Sequence, residues 1–167
     1  MRKKMAALLL LAFAAAAAAA RAAPIVVKKT ALITIPAAIV VNAPAAKVWA
    51  AVTSLDGFGA LTGFQATGGS KSFSKVGDAV PARVWTDSGR LVVTELLPEK
   101  ELRVAWEPAN GSYLCSKRVV LTPFQGGTRV EYSDRYTDDQ PNADETAAQV
   151  ALETEKHLAA FKALAEK

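Results

Sequence analysis

Residues 144–167 read DETAAQVALETEKHLAAFKALAEK, and the fold follows from how this stretch is understood. Val150, Leu158, Phe161 and Leu164 recur at spacings near the helical period, while Glu145, Gln149, Glu153, Lys156 and Lys162 occupy the other side. Asp144 and Glu145 complement the positive end of such a helix, and Lys162 with Lys167 complement its negative end. An amphipathic helix of this length needs an apolar surface to cover its seam. The rest of the chain offers short strands and no second long helix, so the strands must supply that surface.

Working back, polar residues from Thr137 to Ala143, with Pro141 among them, form a linker. Before it lies a meander: Val80–Thr86, Arg90–Leu97, Leu102–Glu107, Tyr113–Thr122 and Thr128–Tyr136 read as strands. Asp87-Ser88-Gly89, Pro98-Glu99-Lys100, Pro108 to Gly111 and Pro123 to Gly127 read as the turns between them. Connections this short make neighbouring strands antiparallel. Thr62 to Gly77 is glycine- and serine-rich, with a weak strand near Phe64–Thr67. Ala31 to Val41 reads as the first strand, with Pro36 as an edge or bulge position. Asn42-Ala43-Pro44 starts a helix whose apolar side is Val48, Trp49, Val52 and Leu55, and Phe58 to Leu61 forms one more short turn of helix.

The start of the chain reads as an address. Arg2, Lys3 and Lys4 precede an uncharged apolar run from Met5 to Ala20, and Ala20-Arg21-Ala22 is a small-x-small cleavage pattern. The expectation is a signal peptide over residues 1–22, a domain over 23–167, and a periplasmic or secreted protein. The run is short for a membrane span. No cysteine stands near residue 22 to carry a lipid anchor.

Cleavage also changes the charge balance, because it takes four of the 20 basic residues and leaves 16 against 16 acidic ones. The remainder is then near neutral, with no basic block, and neither nucleic acid nor stable insertion in a membrane is expected as a partner. The lone Cys115 rules out an internal disulfide and reads as a small buried filler.

The order of a strand, two short helices, an antiparallel meander and a long terminal helix is sharpened by local residues. Asn42-Ala43-Pro44-Ala45-Ala46-Lys47-Val48-Trp49 resembles the segment after the first strand in the SRPBCC superfamily of START domains, birch-pollen-allergen-like proteins and polyketide cyclases. Val76-Gly77-Asp78 is similar to that family's entry to its third strand, and Leu121-Thr122-Pro123 with Gly126-Gly127-Thr128-Arg129-Val130 to the hairpin before its last. The resemblance covers roughly Ala31 to Leu164. It implies an α+β helix-grip fold, a seven-stranded antiparallel sheet curved around the C-terminal helix, with a cavity that family members use for lipids, sterols or polyketides. It carries over no catalytic motif.

One His, one Cys and no paired ligand motif leave no metal site, and no cofactor motif is present. His157 lies on or beside the helix seam, where it is either a partly exposed, hydrogen-bonded histidine or an acid–base group facing the cavity. In the last strand, alternation puts Val130, Tyr132, Asp134 and Tyr136 on the more apolar, cavity side. Asp134 is read as solvated near the strand end; inside, it would have to be paired or protonated. Phe64, Trp85, Trp106, Tyr113 and Phe161 are the remaining candidates for a ligand-binding wall, and Arg83 and Arg103 are read as facing outward.

The leading expectation is therefore a protein that holds a small hydrophobic or amphipathic molecule. The alternative is a cyclase, dehydratase or isomerase using His157 or Asp134. A third reading is a protein-interaction module with a filled core.

Overall fold

The computed structural model describes residues 30–167; the segment read as a signal peptide lies outside them. Strand β1 (Ala31–Val41) leads into helices α1 (Ala45–Thr53) and α2 (Leu55–Thr62). A two-residue strand β2 (Gln65–Ala66) precedes the meander β3 (Ala79–Val84), β4 (Asp87–Leu97), β5 (Glu101–Pro108), β6 (Cys115–Phe124) and β7 (Gly127–Asp138). Helix α3 (Ala143–Ala165) closes the fold. The seven strands form one antiparallel sheet in the order β1-β7-β6-β5-β4-β3-β2. This is the helix-grip architecture.

Each element follows from local chemistry. Pro36 sits in β1, an edge strand, where its missing donor does least harm to the ladder. Ser54 ends α1 and caps α2, its hydroxyl accepting from Gly57 N at 3.0 Å and donating to Ala51 O at 2.9 Å. Helix α3 buries Val150, Thr154, Leu158, Phe161 and Ala165. Its C-terminal end is tied to β1 by Lys162, which donates to Val40 O, and by Glu166, which accepts from Asn42 N at 2.7 Å. No helix among the described residues is long and apolar enough to cross a membrane.

Several details differ from the sequence reading, among them the start of β6, which is Cys115 and not Tyr113. The β3–β4 connection is Trp85-Thr86, and Asp87-Ser88-Gly89 lies inside β4, paired with Val84, Arg83 and Ala82. Gly89 is there for close strand approach rather than for a turn, since a Cβ on it would lie 2.2 Å from Glu107 O on β5. Trp85 instead takes the positive φ of 49°. Strand β7 runs on through Thr137-Asp138, residues expected in the linker, because β1 continues to pair with them. Along α3 the buried line ends at Ala165, and Leu164 is only partly covered.

The inward face of the sheet divides along its length. At one end Val41, Leu102, Val104, Val119, Val130 and the helix residues Val48, Val52, Phe58, Leu61 and Phe161 form a closed apolar core. At the other end the inward side chains turn polar: Leu121 and Val119 on β6 give way to Lys117 and Cys115, and Val130 on β7 to Tyr132, Asp134 and Tyr136.

Candidate ligand-binding cavity

That polar end encloses a cavity of about 800 Å³ between the sheet, the C-terminal end of α2 and the N-terminal half of α3. Its size lies within the range of small-molecule sites. Helix α3 contributes Val150, Glu153, Thr154 and His157, and β6 and β7 contribute Cys115, Lys117, Tyr132, Asp134 and Tyr136.

The floor is an ion pair. Lys117 and Asp134 are register partners on β6 and β7, and their side chains meet in a salt bridge. Both side chains are buried, 6% and 7% exposed. Burial by itself pushes the Lys117 ammonium down, but the neighbouring Tyr132 and Cys115, together with the charge and hydrogen bond of Asp134, overcome this and hold the group above its ordinary range. Lys117 Nζ also stands 5.3 Å from the centre of the Phe64 ring, close enough for a cation–π contact. Cys115 Sγ lies 3.6 Å from Asp134 Oδ1, and burial pushes its thiol up to about 12, so it is protonated and unreactive at neutral pH.

The aromatic residues separate into wall and backing. Phe64, Trp85, Tyr113, Tyr132 and Tyr136 line the cavity. Trp106 does not: it lies behind Phe64, ring centres 4.7 Å apart, and its indole N–H donates to Tyr113 Oη at 2.9 Å. Tyr113 in turn donates to Asp87 Oδ2 at 3.0 Å, fixing its ring at the cavity edge. Phe161 also stands outside the lining, fully buried in the core one helical turn beyond His157. Trp85 is 61% exposed and marks the open side. The Tyr136 hydroxyl is buried and without a hydrogen-bond partner, and burial first, then Asp134 and Asp138, push it up to about 12.

His157 is half-buried and lines the cavity, its ring lying against Gly63. Gly63 caps α2 with φ of 78°, and a Cβ there would come within 2.7 Å of the His157 ring. Burial lowers the imidazole below its ordinary value; Glu153 opposes this, and Lys117 and Lys156 add to it. Since the folded value lies below the unfolded one, the unfolded chain takes up the proton first as pH falls. The stability tied to neutral His157 is thus present above the ordinary histidine value and is lost on acidification. A stability slope between about pH 7 and pH 5 is expected, measured by denaturant unfolding, and His157→Gln should flatten it. An identical slope in the variant overturns the assignment.

Asp134 corrects the sequence reading. It is not solvated at a strand end but buried and paired, because β7 continues to Asp138 and β1 covers it from the other side. Lys117, its partner, was not singled out in the sequence, although counting back by two from Leu121 and Val119 puts it on the inward face. Cys115 is a wall residue rather than core filler, Arg83 lies at the cavity edge, and Arg103 points outward to Glu95 and Glu101. Among the described residues no cluster of His, Cys, Asp and Glu has the makings of a metal site.

No family model and no curated protein matches the chain. Solved structures do. Protein CV1439 from Chromobacterium violaceum superposes with a TM-score of 0.62 at 17% identity, over 80% of this chain and 97% of that one. DynU16, from the dynemicin biosynthetic locus, gives 0.61 at 18% identity over 80% of this chain, which spans 47% of DynU16. Ara h 8.0201 gives 0.57 at 15% identity, over 81% and 98% of the two chains. At such identities the likeness concerns the path of the backbone, and on that ground the chain has the Bet v 1-like helix-grip fold of the SRPBCC proteins.

Proposed function

We propose that the protein binds a small amphipathic molecule in this cavity, apolar body against the aromatic wall and polar group towards Lys117 and Tyr136. The observation that carries the reading is a space of about 800 Å³ with Lys117 and Asp134 buried at its floor. Covering about 300 Å² of apolar ligand surface contributes roughly 7 kcal/mol before association costs, enough for micromolar binding once polar contacts are added. A filled-core interaction module fits less well, because the inward side chains leave this volume open at one end.

The test is native mass spectrometry of the protein purified from its source, followed by extraction of what accompanies it. A stoichiometric organic molecule of a few hundred daltons is expected. A bare protein that also ignores apolar fluorescent probes overturns the reading.

A second reading, acid–base catalysis, draws on Lys117, Asp134, His157 and Tyr132 all facing one cavity. Lys117, held protonated, suits a donor to a developing oxyanion, and neutral His157 suits a base. Turnover of the extracted molecule that fails in His157→Gln and in a folded double variant Lys117→Met with Asp134→Leu is the result that favours it.

Export belongs to the same proposal, supported by the basic, apolar and small-x-small sequence of residues 1–22. N-terminal sequencing of the protein from its native cell should begin at Ala23 or within a residue or so of it. An intact Met1 overturns export with cleavage.

A further inference from the structure

The floor of the cavity is charged but balanced. Lys117 and Asp134 form a salt bridge with both side chains buried. Their neighbours are neutral, because burial pushes the Tyr132 phenol well above its ordinary range and the Cys115 thiol up to about 12. An ammonium carries three N–H donors, and the bond to Asp134 uses one of them. An acceptor oxygen can therefore be added at Lys117 with the salt bridge intact.

Two neutral groups of the lining have hydrogen-bonding capacity to spare. No protein group among the described residues hydrogen-bonds either ring nitrogen of His157, and the imidazole, lowered by burial, is uncharged near neutral pH. The Tyr136 hydroxyl is buried without a partner. Both groups offer hydrogen bonds and neither offers a charge.

A ligand ion finds no such place. A carboxylate brought to Lys117 must share it with Asp134, a like charge, and an ammonium brought to Asp134 meets Lys117. Either one crowds a buried pair with a third charge taken out of water. The other ionised residues of the lining, Arg83, Asp87, Asp138, Asp139 and Glu153, all keep some exposure to solvent, where a ligand charge gains little from them.

Resting on the cavity reading above, we infer that the buried end of the ligand is an uncharged oxygen, a carbonyl or a hydroxyl, which accepts a hydrogen bond from Lys117 while Lys117 keeps Asp134. Amphiphilic ions of either sign are selected against.

Four probes of one chain length decide it: decanol, 2-decanone, decanoate and decyltrimethylammonium, each titrated into the purified protein by calorimetry. Decanol is expected to bind tighter than either ion by about tenfold or more. A smaller margin, or a preference for an ion, overturns the selection against charge and leaves the cavity reading standing. The ketone can only accept, so it should match decanol within about threefold; a larger deficit overturns the contact to Lys117. In the folded double variant Lys117→Met with Asp134→Leu, decanol should bind more weakly by about threefold or more. A cavity that merely dislikes charge would hold decanol as well or better above an apolar floor, and that result also overturns the contact. Failure of all four probes on the wild type overturns the cavity reading with it.

Discussion

Asp134→Leu is expected to destabilise the protein by about 3–5 kcal/mol, a large part of the stability of an ordinary domain. The reason is the charge it leaves behind. Lys117 is buried with its ammonium against Asp134, and without the carboxylate the desolvation that already disfavours the charged form loses its salt-bridge counterweight. Lys117→Met leaves the opposite charge without its partner and should cost a comparable amount. The double variant Lys117→Met with Asp134→Leu should recover most of the loss or exceed the wild type, because a well-packed apolar pair avoids desolvating two ions. Urea unfolding of the four proteins gives the coupling directly. If each single change costs under about 1 kcal/mol, water reaches the pair and the cavity floor is not dry. A double variant that is stable but no longer binds decanol would mean that the pair is kept for the ligand rather than for the fold.

The elements were largely legible, because each rests on a local period. The seam of α3 repeats near every 3.6 residues, and the alternation of β7 put Val130, Tyr132, Asp134 and Tyr136 on the inner face where they are found. The pairing of Lys117 with Asp134 was not legible. It depends on the β6–β7 register, set at the Gln125-Gly126 turn, where both residues take positive φ, 47° and 82°. A slip of one residue there turns every side chain to the other face, and the sequence limits that turn only to Pro123–Gly127. Depth along an element was hidden for a related reason. Periodicity says which side of α3 Phe161 and His157 occupy, but not that the cavity stops between them. Trp106 shows the same limit on β5: it faces inward, and Phe64 from the α2–β2 connection covers it.

Phe161→Ala and Trp85→Ala are therefore expected to behave in opposite ways, although the sequence alone places both in a ligand-binding wall. Phe161 is fully buried and ringed by core side chains, so its truncation should cost about 3–5 kcal/mol, as lost transfer energy plus the cavity left behind. The affinity of the folded fraction for decanol should stay as it was. Trp85 is 61% exposed at the β3–β4 turn, and its removal should change stability by no more than about 0.5 kcal/mol. It should weaken decanol binding by about threefold to tenfold, the worth of one aromatic contact to an apolar ligand. Denaturant unfolding and calorimetry on the same two variants separate the roles. Should Phe161→Ala instead tighten binding of chains longer than ten carbons, the core and the cavity form one continuous space, and the wall at His157 gives way to a long ligand. Should Trp85→Ala leave decanol binding untouched, the aromatic contact must come from the other rings of the wall, and the ligand lies deeper than the turn.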